Sequence, residues 1–224
     1  MTGKIIVAGG FGALGRAVVA ELQARGAAVA VVDMAPVPAG SGADVVIGGV
    51  DLADPAQVAD AYAKAAGALG GLDGVVNVAG GFTWETMADG SLDSWDRMYR
   101  MNVRTAATSS AAAIPHLVGK GGAIVNVGAA AATNVAMGMA PYAASKAGVM
   151  ALTESLADEL GAQNVRVNAV LPTIIDTPAN RADMPDADVS GWVKPESAAR
   201  VIAFLLSPDS GAVTGTGIRL SLAG

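Results

Sequence analysis

Tyr142 and Lys146, four residues apart in "PYAASKAG", are the side chains of this sequence best suited to moving a proton. Four residues is about one helical turn, so on a helix a phenol and an ammonium share one face. Tyrosine titrates near 10, too high for easy proton exchange at neutral pH. A neighbouring ammonium favours the phenolate, and at about 4 Å with an effective dielectric near 20 the attraction is roughly 4 kcal/mol before solvent screening. Taken alone the spacing is common in arbitrary chains, where it means a half-buried tyrosine and a solvated lysine. It acquires meaning only if the rest of the chain builds a cofactor site beside it.

The first forty residues contain the parts of such a site. After the run "KIIVAG" comes "GGFGALGRAVVAEL", with Gly10-x-Gly12-x-x-Gly15 at the opening of a helical pattern. Glycines there permit a tight turn and close backbone approach, so free N–H groups at the helix start can face a pyrophosphate. Asp33 ends the second apolar run, 18 residues beyond Gly15. A carboxylate at that place accepts hydrogen bonds from a ribose diol and repels a 2′-phosphate, and no arginine follows it, only Met34 and Ala35. NAD(H) is therefore expected in preference to NADP(H). An ordinary strand-to-helix turn and an ordinary strand-end aspartate are the competing readings, weakened by their occurring together in this order.

These residues need a scaffold, and the pattern supplies one. Short β-branched runs at 5–8, 29–32, 45–48, 75–78, 123–127, 165–171 and 217–222 alternate with helical segments at 13–25, 55–69, 94–117, 142–160 and 195–206. Near-continuous apolar strands predict a parallel sheet buried on both faces. The expected fold is α/β, a single Rossmann-type doubly wound domain over 1–224 with a seven-stranded parallel sheet and helices on both faces. Residues 172–194 lack periodicity and are expected to form an irregular loop near the substrate, since a loop of that length is usually functional. Of the 224 residues 52% are hydrophobic and 15% charged, enough for a large core. A formal charge of -6 without clustered Lys or Arg argues against nucleic acid or an anionic membrane as partner and leaves a small molecule. With no cysteine and one histidine, disulfides, thiolate metal sites and most metal chemistry drop out, and no metal is expected. The apolar run in "MTGKIIVAGGFGALG" is short and breaks into glycines, unlike a signal peptide or a membrane span, so a cytoplasmic protein is expected.

With turn, aspartate, strands and Tyr-Lys pair in order, the chain resembles the short-chain dehydrogenase/reductase family over essentially its whole length. The family's T-G-x-x-x-G-x-G turn corresponds to Ala8, Gly9, Ala13 and Gly15, with Ala in place of the Thr and the middle Gly. The adenine-side aspartate corresponds to Asp51, the N-N-A-G motif to Asn77, Val78, Ala79 and Gly80, and the active-site asparagine to Asn102 in "MNV". The P-G-x-x-x-T segment corresponds to Pro172, Thr173, Ile175 and Thr177. The resemblance implies a catalytic set of Tyr142, Lys146 and Asn102, the last holding a water or a helix kink. It implies a cofactor lying against Gly9, Phe11, Gly12, Ala13, Leu14 and Gly15, against Asp33, Met34, Asp51 and Leu52, and against Asn77, Ala79, Gly80, Tyr142, Lys146, Pro172, Ile175 and Thr177. Gly81, Phe82, Trp84, Ala129 and Thr173 would face the substrate. A homodimer or homotetramer, packed through the helices at 94–117 and 142–160, is implied as well.

One departure carries weight: the family's serine, thirteen residues before the tyrosine, is Ala129 here. Losing such a hydroxyl commonly costs on the order of 10²–10³ in rate. The dihydropteridine reductase branch tolerates it, and the chain is similar to that branch in "GGFGALG", in "VAGG", in Gly128-Ala129, and in the loop "VLPTIIDTPANRADMPDADVSGW". The similarity implies an NADH-dependent reductase whose acceptor is a conjugated imine or carbonyl, with quinonoid dihydropterin foremost, electrophilic enough to need no serine. A short-chain reductase for another carbonyl is the alternative, and a catalytically weak NAD(H)-binding sensor the second. Phe82 and Trp84 could stack on a flat heterocycle or simply pack their loop. Trp192 is expected to anchor the long loop in the core, closure over the site being its other reading, His116 to be a surface or capping residue, and Met137 and Met139 to fill gaps or line the substrate side.

Overall fold

Apolar strands without a polar face must be covered on both sides, and parallel pairing with crossover helices does this. The computed structural model describes residues 3–222 and 224; residues 1, 2 and 223, the remainder of the expected 1–224 domain, lie outside the described residues. The strands are β1 (Lys4–Ala8), β2 (Ala28–Val32), β3 (Val45–Ile47), β4 (Gly74–Asn77), β5 (Gly122–Val127), β6 (Val165–Pro172) and β7 (Gly217–Leu220). Among the described residues they form one seven-stranded parallel sheet in the order β3-β2-β1-β4-β5-β6-β7. The order reverses at β1, where Val7 sits beside Val31 on one side and Val76 on the other. Ligands of open α/β sheets bind in the crevice beyond such a point, at the carboxyl ends of the strands.

Alternation along β1 divides the core in two. Ile5 and Val7 pack with α1 (Ala13–Ala24) and α7 (Pro195–Leu206), through Leu14, Val18, Ile202 and Leu205. Ile6 and Ala8 point the other way, onto α2 (Pro55–Leu69), α4 (Thr105–Leu117) and α5 (Ala140–Gly161), through Val58, Tyr62, Leu117 and Leu160. The helix boundaries have local causes. Asp54 accepts hydrogen bonds from the Ala56 and Gln57 amides and Pro55 opens α2, which Gly70 closes at φ 74°. Among the described residues no helix is long and apolar enough to cross a membrane.

Two regions differ from the periodicity. The helix expected over 94–117 is α3 (Leu92–Met98) joined to α4 by a π-helical turn, Tyr99–Arg104. Wide turns of this kind are rare and are often found at functional sites; Asn102 lies inside this one. The expected irregular stretch 172–194 contains a short helix, α6 (Pro178–Asp183), capped by the Thr177 hydroxyl, which accepts from the Asn180 amide at 3.1 Å. Its base is stitched shut: Ile175 and Val193 form a parallel bridge, the Asp176 amide donates to Val193 O, and the Val193 amide donates to Ile174 O. Trp192, 6% exposed, anchors this base in the core.

Candidate active site

Two glycines, Gly9 and Gly15, bring backbone onto backbone at the end of β1. Gly9 has φ 85°, and a Cβ there would stand 2.6 Å from the Ala79 amide nitrogen; one on Gly15 would stand 2.3 Å from Gly9 O. Side chains at either place would push the β1–α1 turn, the start of α1 and the end of β4 apart. Gly12 is the opposite case. A Cβ there would meet nothing nearer than 3.9 Å, because Gly12 faces the cleft, and it opens α1 without any side-chain cap. Uncapped helix amides beside open space suit a phosphate group.

That cleft is about 690 Å³ and lies across the carboxyl ends of the central strands. Gly9, Gly12, Ala13, Leu14 and Gly15 line one side; Asp33, Met34, Asp51 and Leu52 line another; Ala79, Gly80, Ile175 and Thr177 line the rest. Asp33 is fixed by two backbone amides, Phe11 N donating to Oδ2 and Ala35 N to Oδ1, both at 2.9 Å. Among the described residues no cation pairs with it at the cleft edge. Asp51 accepts from the Ala53 amide and pairs with Arg100, which also lines the cleft. Nothing in the sequence singles out Arg100, an arginine on an exposed helix stretch until the fold turns it toward Asp51. Val78, Met101, Thr105, Val127, Pro178 and Ala179 likewise reach the cleft without a sequence signal. These features fit a dinucleotide: glycines where phosphates approach, a carboxylate for a diol, and room enough.

Some residues expected at the cofactor lie elsewhere. Phe11 turns its ring toward the core beside α1 and α7. Pro172 is buried at the end of β6. Asn77 is 4% exposed, and its side chain is committed beneath the cleft to Ser110 and Asn126.

Tyr142 and Lys146 occupy the first two turns of α5, with Lys146 behind two residues that line the cleft, Gly80 and Val127. Lys146, 5% exposed, donates through Nζ to Val127 O at 2.8 Å, and Nζ lies 5.9 Å from the centre of the Tyr142 ring. It is also beside Gly80, where a Cβ would approach Nζ to 3.3 Å and Asn102 Oδ1 to 2.6 Å. Asn102 grips the neighbouring Gly81 at both polar atoms, accepting from its amide at 2.9 Å and donating to its carbonyl at 3.1 Å. Its Nδ2 also donates to Ser145 Oγ, which donates to Tyr142 O. Ser145, unremarked in the sequence, thus ties the cofactor-side loop to the helix carrying the phenol.

Burial sets both titrations. It pushes the Lys146 amine down to about 8 and the Tyr142 phenol up to about 12. The shift of the phenol runs opposite to the expected lowering by its ammonium neighbour: the ammonium is bonded to Val127 O, and desolvation of the phenol sets the direction. At neutral pH Tyr142 is accordingly a proton donor.

Ala129, 3% exposed, packs with Ala131, Ala143, Met139 and Tyr142. Neither nearby hydroxyl substitutes for the absent serine, since Ser145 donates to Tyr142 O and Thr133 to Ala130 O. On the open side, Phe82 meets Tyr142 edge to face at 4.9 Å and 82°. Trp84 lies on Gly138 and donates from Nε1 to Met137 O at 3.1 Å, while the Glu85 amide donates to Gly138 O. Both aromatic residues still expose about half their surface, 54% and 56%, so Trp84 packs its loop and presents a face outward. Met137 is exposed and Met139 half-buried against Tyr142. Thr173 is exposed, its amide bonded to Leu220 O, apart from the cleft lining. His116 sits half-exposed in the last turn of α4.

Comparison with known proteins agrees with this architecture. A family model described as enoyl-(acyl carrier protein) reductase matches residues 11–220. The (3R)-3-hydroxyacyl-CoA dehydrogenase of Homo sapiens is 36% identical over 158 residues, 66% of this chain and 60% of that protein. The chain thus spans only about three fifths of that relative's length. The 3-oxoacyl-[acyl-carrier-protein] reductase of Thermotoga maritima is 31% identical over 175 residues, 74% of this chain and 71% of that protein. A solved short chain dehydrogenase from Burkholderia cenocepacia, in complex with NADP, is 33% identical with a TM-score of 0.85, covering 99% of this chain and 97% of that one.

Proposed function

The chain belongs to the short-chain dehydrogenase/reductase family, and from that premise we propose an NADH-dependent reductase acting on a conjugated imine or carbonyl, with a quinonoid dihydropterin as the leading acceptor. One observation carries the proposal: Tyr142 stands half-buried beside the buried Lys146, whose ammonium is held by Val127 at the margin of a dinucleotide-sized cleft, with a methyl group, Ala129, where a second hydroxyl would be needed for an unactivated ketone.

When bound, a reduced nicotinamide dinucleotide supplies the hydride. The chain's residues do the rest. Gly9, Gly12 and the α1 amides would hold its phosphates, and Asp33 would accept from its adenosine ribose diol. Lys146, held by Val127 O, stands ready for the nicotinamide ribose hydroxyls. Tyr142, kept neutral by burial, gives its proton to the acceptor. Phe82 restricts the ring edge-on, which favours one phenol orientation. With no donor at 129, the acceptor itself must be electron-poor, as a conjugated imine is. The loop sequence "VLPTIIDTPANRADMPDADVSGW" supports the pterin choice by its similarity to the dihydropteridine reductase branch.

NADH is preferred in this reading because the Asp33 charge opposes a 2′-phosphate and the cation lining the cleft, Arg100, is already paired with Asp51. A second reading, reduction of another carbonyl, draws on the acyl substrates in the names of the human and Thermotoga relatives. The proposal takes the enzyme to be a cytoplasmic homodimer or homotetramer, which fractionation and sedimentation test. The deciding experiment mixes protein, NADH and freshly oxidised tetrahydropterin and follows the nicotinamide absorbance. NADH consumption that outpaces NADPH is the expected result. Faster turnover of a ketone panel would move the assignment to the second reading, and NADH binding without any consumption would make the protein a sensor.

A further inference from the structure

Beneath the cleft lies a set of buried polar side chains that the proton transfer does not use. Tyr62 on α2 bonds Ser109 on α4; Ser109 bonds Asn77 at the end of β4; Asn77 donates to Asn126 on β5 at 2.8 Å; Asn126 donates to Thr153 on α5 at 2.9 Å. Thr153 in turn donates to Val149 O at 2.7 Å. All five side chains are at most 4% exposed. Donor counting gives the ladder one direction. Ser109 spends its single hydrogen on Asn77 Oδ1, so the Tyr62 phenol must donate to Ser109, and burial raises that phenol so that it keeps its proton. Every hydrogen then points from α2 toward α5.

Such a ladder is costly to bury, and apolar side chains of similar shape would hold these layers together as well. What it adds is a fixed register. Its last links straddle the acceptor of Lys146: Asn126 directly precedes Val127, whose carbonyl holds Nζ, and Thr153 lies two turns beyond Lys146 on the same helix. Asn77, at the other side, directly precedes the Val78–Ala79–Gly80 stretch that lines the cleft. Asn77 and Asn126 are also register partners in the β4–β5 pairing. Backbone pairing sets the strands against each other, while the Asn126–Thr153 link joins a side chain of β5 to one of α5, one residue from the Val127 carbonyl that holds Lys146.

We propose that Asn126 and Thr153 are positioning residues, which lock the end of β5 to α5 so that the Val127 carbonyl fixes the Lys146 ammonium beside Tyr142 and the cofactor cleft. The role rests on the reading of Lys146 as part of the reacting site. Displacements near 1 Å at such a site are known to cost about 100-fold in rate, so a link that prevents sliding has a large effect on turnover.

The test compares Thr153→Val, nearly the same shape without the hydroxyl, with Thr153→Ser, which restores it, using Asn126→Ala as a second break in the ladder. Two quantities are read on folded protein: steady-state reduction with NADH, and the titration of the Lys146 amine by ¹⁵N NMR, assigned with Lys146→Arg. Thr153→Val should lower kcat about tenfold with the acceptor KM within about twofold, and should move the Lys146 titration downward as the ammonium loses a well-placed acceptor. Thr153→Ser should recover both. A fall in melting temperature with kcat and the Lys146 titration both unmoved would overturn the proposal and leave the ladder a packing device. Should the wild-type protein reduce no acceptor, the function proposed above fails, while the NMR titration, which needs no turnover, still decides the role of the ladder.

Discussion

Tyr142 and Lys146 acquire opposite displacements from the same cause. Both are taken out of water, so the phenol becomes harder to ionise and the amine easier to neutralise. A phenol held protonated is poorly suited to begin an oxidation at neutral pH and well suited to finish a reduction. Tyr142→Phe should therefore lower kcat by about 10²–10⁴, the usual range for losing a positioned proton donor, while the NADH dissociation constant stays within about twofold; stopped-flow turnover with fluorescence titration checks both. Ala129 bears on the acceptor rather than the cofactor. Its methyl packs in one cluster with Tyr142, so a serine hydroxyl there would add a donor beside the phenol. Ala129→Ser should raise kcat/KM for simple ketones by about tenfold or more and leave a conjugated imine nearly unchanged. A panel of both acceptor types run side by side measures the ratio.

Elements matter here through how they are tied together. The loop after β4 and the loop before α5 are joined by the Glu85–Gly138 backbone bond and by Trp84 lying on Gly138. Gly138 has φ 77°, and a Cβ there would fall 2.2 Å from the indole. Gly138→Ala should destabilise the protein by about 2 kcal/mol from the left-handed backbone and the displaced ring, and should raise the acceptor KM because Phe82 and Trp84 share that loop. Urea unfolding and steady-state kinetics separate the two effects. The π-helical turn between α3 and α4 has a comparable role on the cofactor side. It brings Asn102 to the Gly81 amide and carbonyl and Arg100 to Asp51, contacts that the regular helix expected over 94–117 does not foretell.

At the scale of the whole molecule the two displaced titrations give stability a pH dependence. The folded chain holds fewer protons on Lys146 than the unfolded chain between about pH 8 and 10.5, so stability rises with pH across that window. Tyr142 acts oppositely. Its folded form keeps a proton that the unfolded chain gives up between pH 10 and about 12, so stability falls there, and the buried Tyr62 adds to the fall. Denaturant unfolding should show a gain on the order of 2 kcal/mol from about pH 7.5 to about pH 9.5, and Lys146→Met should abolish that gain. A flat profile in the unaltered protein would mean that Lys146 is solvated in solution.

Much of this was legible in the residues themselves, for reasons that are local. β-Branched runs with no polar face could only be strands of a buried parallel sheet, and the order of turn, aspartate and Tyr-Lys pair determined the family. Gly9, Gly12 and Gly15 could be singled out because only glycine tolerates those backbone approaches, and Ala129 because a missing hydroxyl shows in the text of the chain. The direction of the Tyr142 titration could not be read that way, since it depends on how much water reaches the ring once α5 is packed. Nor could Arg100 at Asp51, Ser145 behind Tyr142, or the ladder from Tyr62 to Thr153, whose members are separated by up to 49 residues per link. Spacing along the chain reports which face of one element a side chain occupies; which partner from another element meets it is decided only when the layers close.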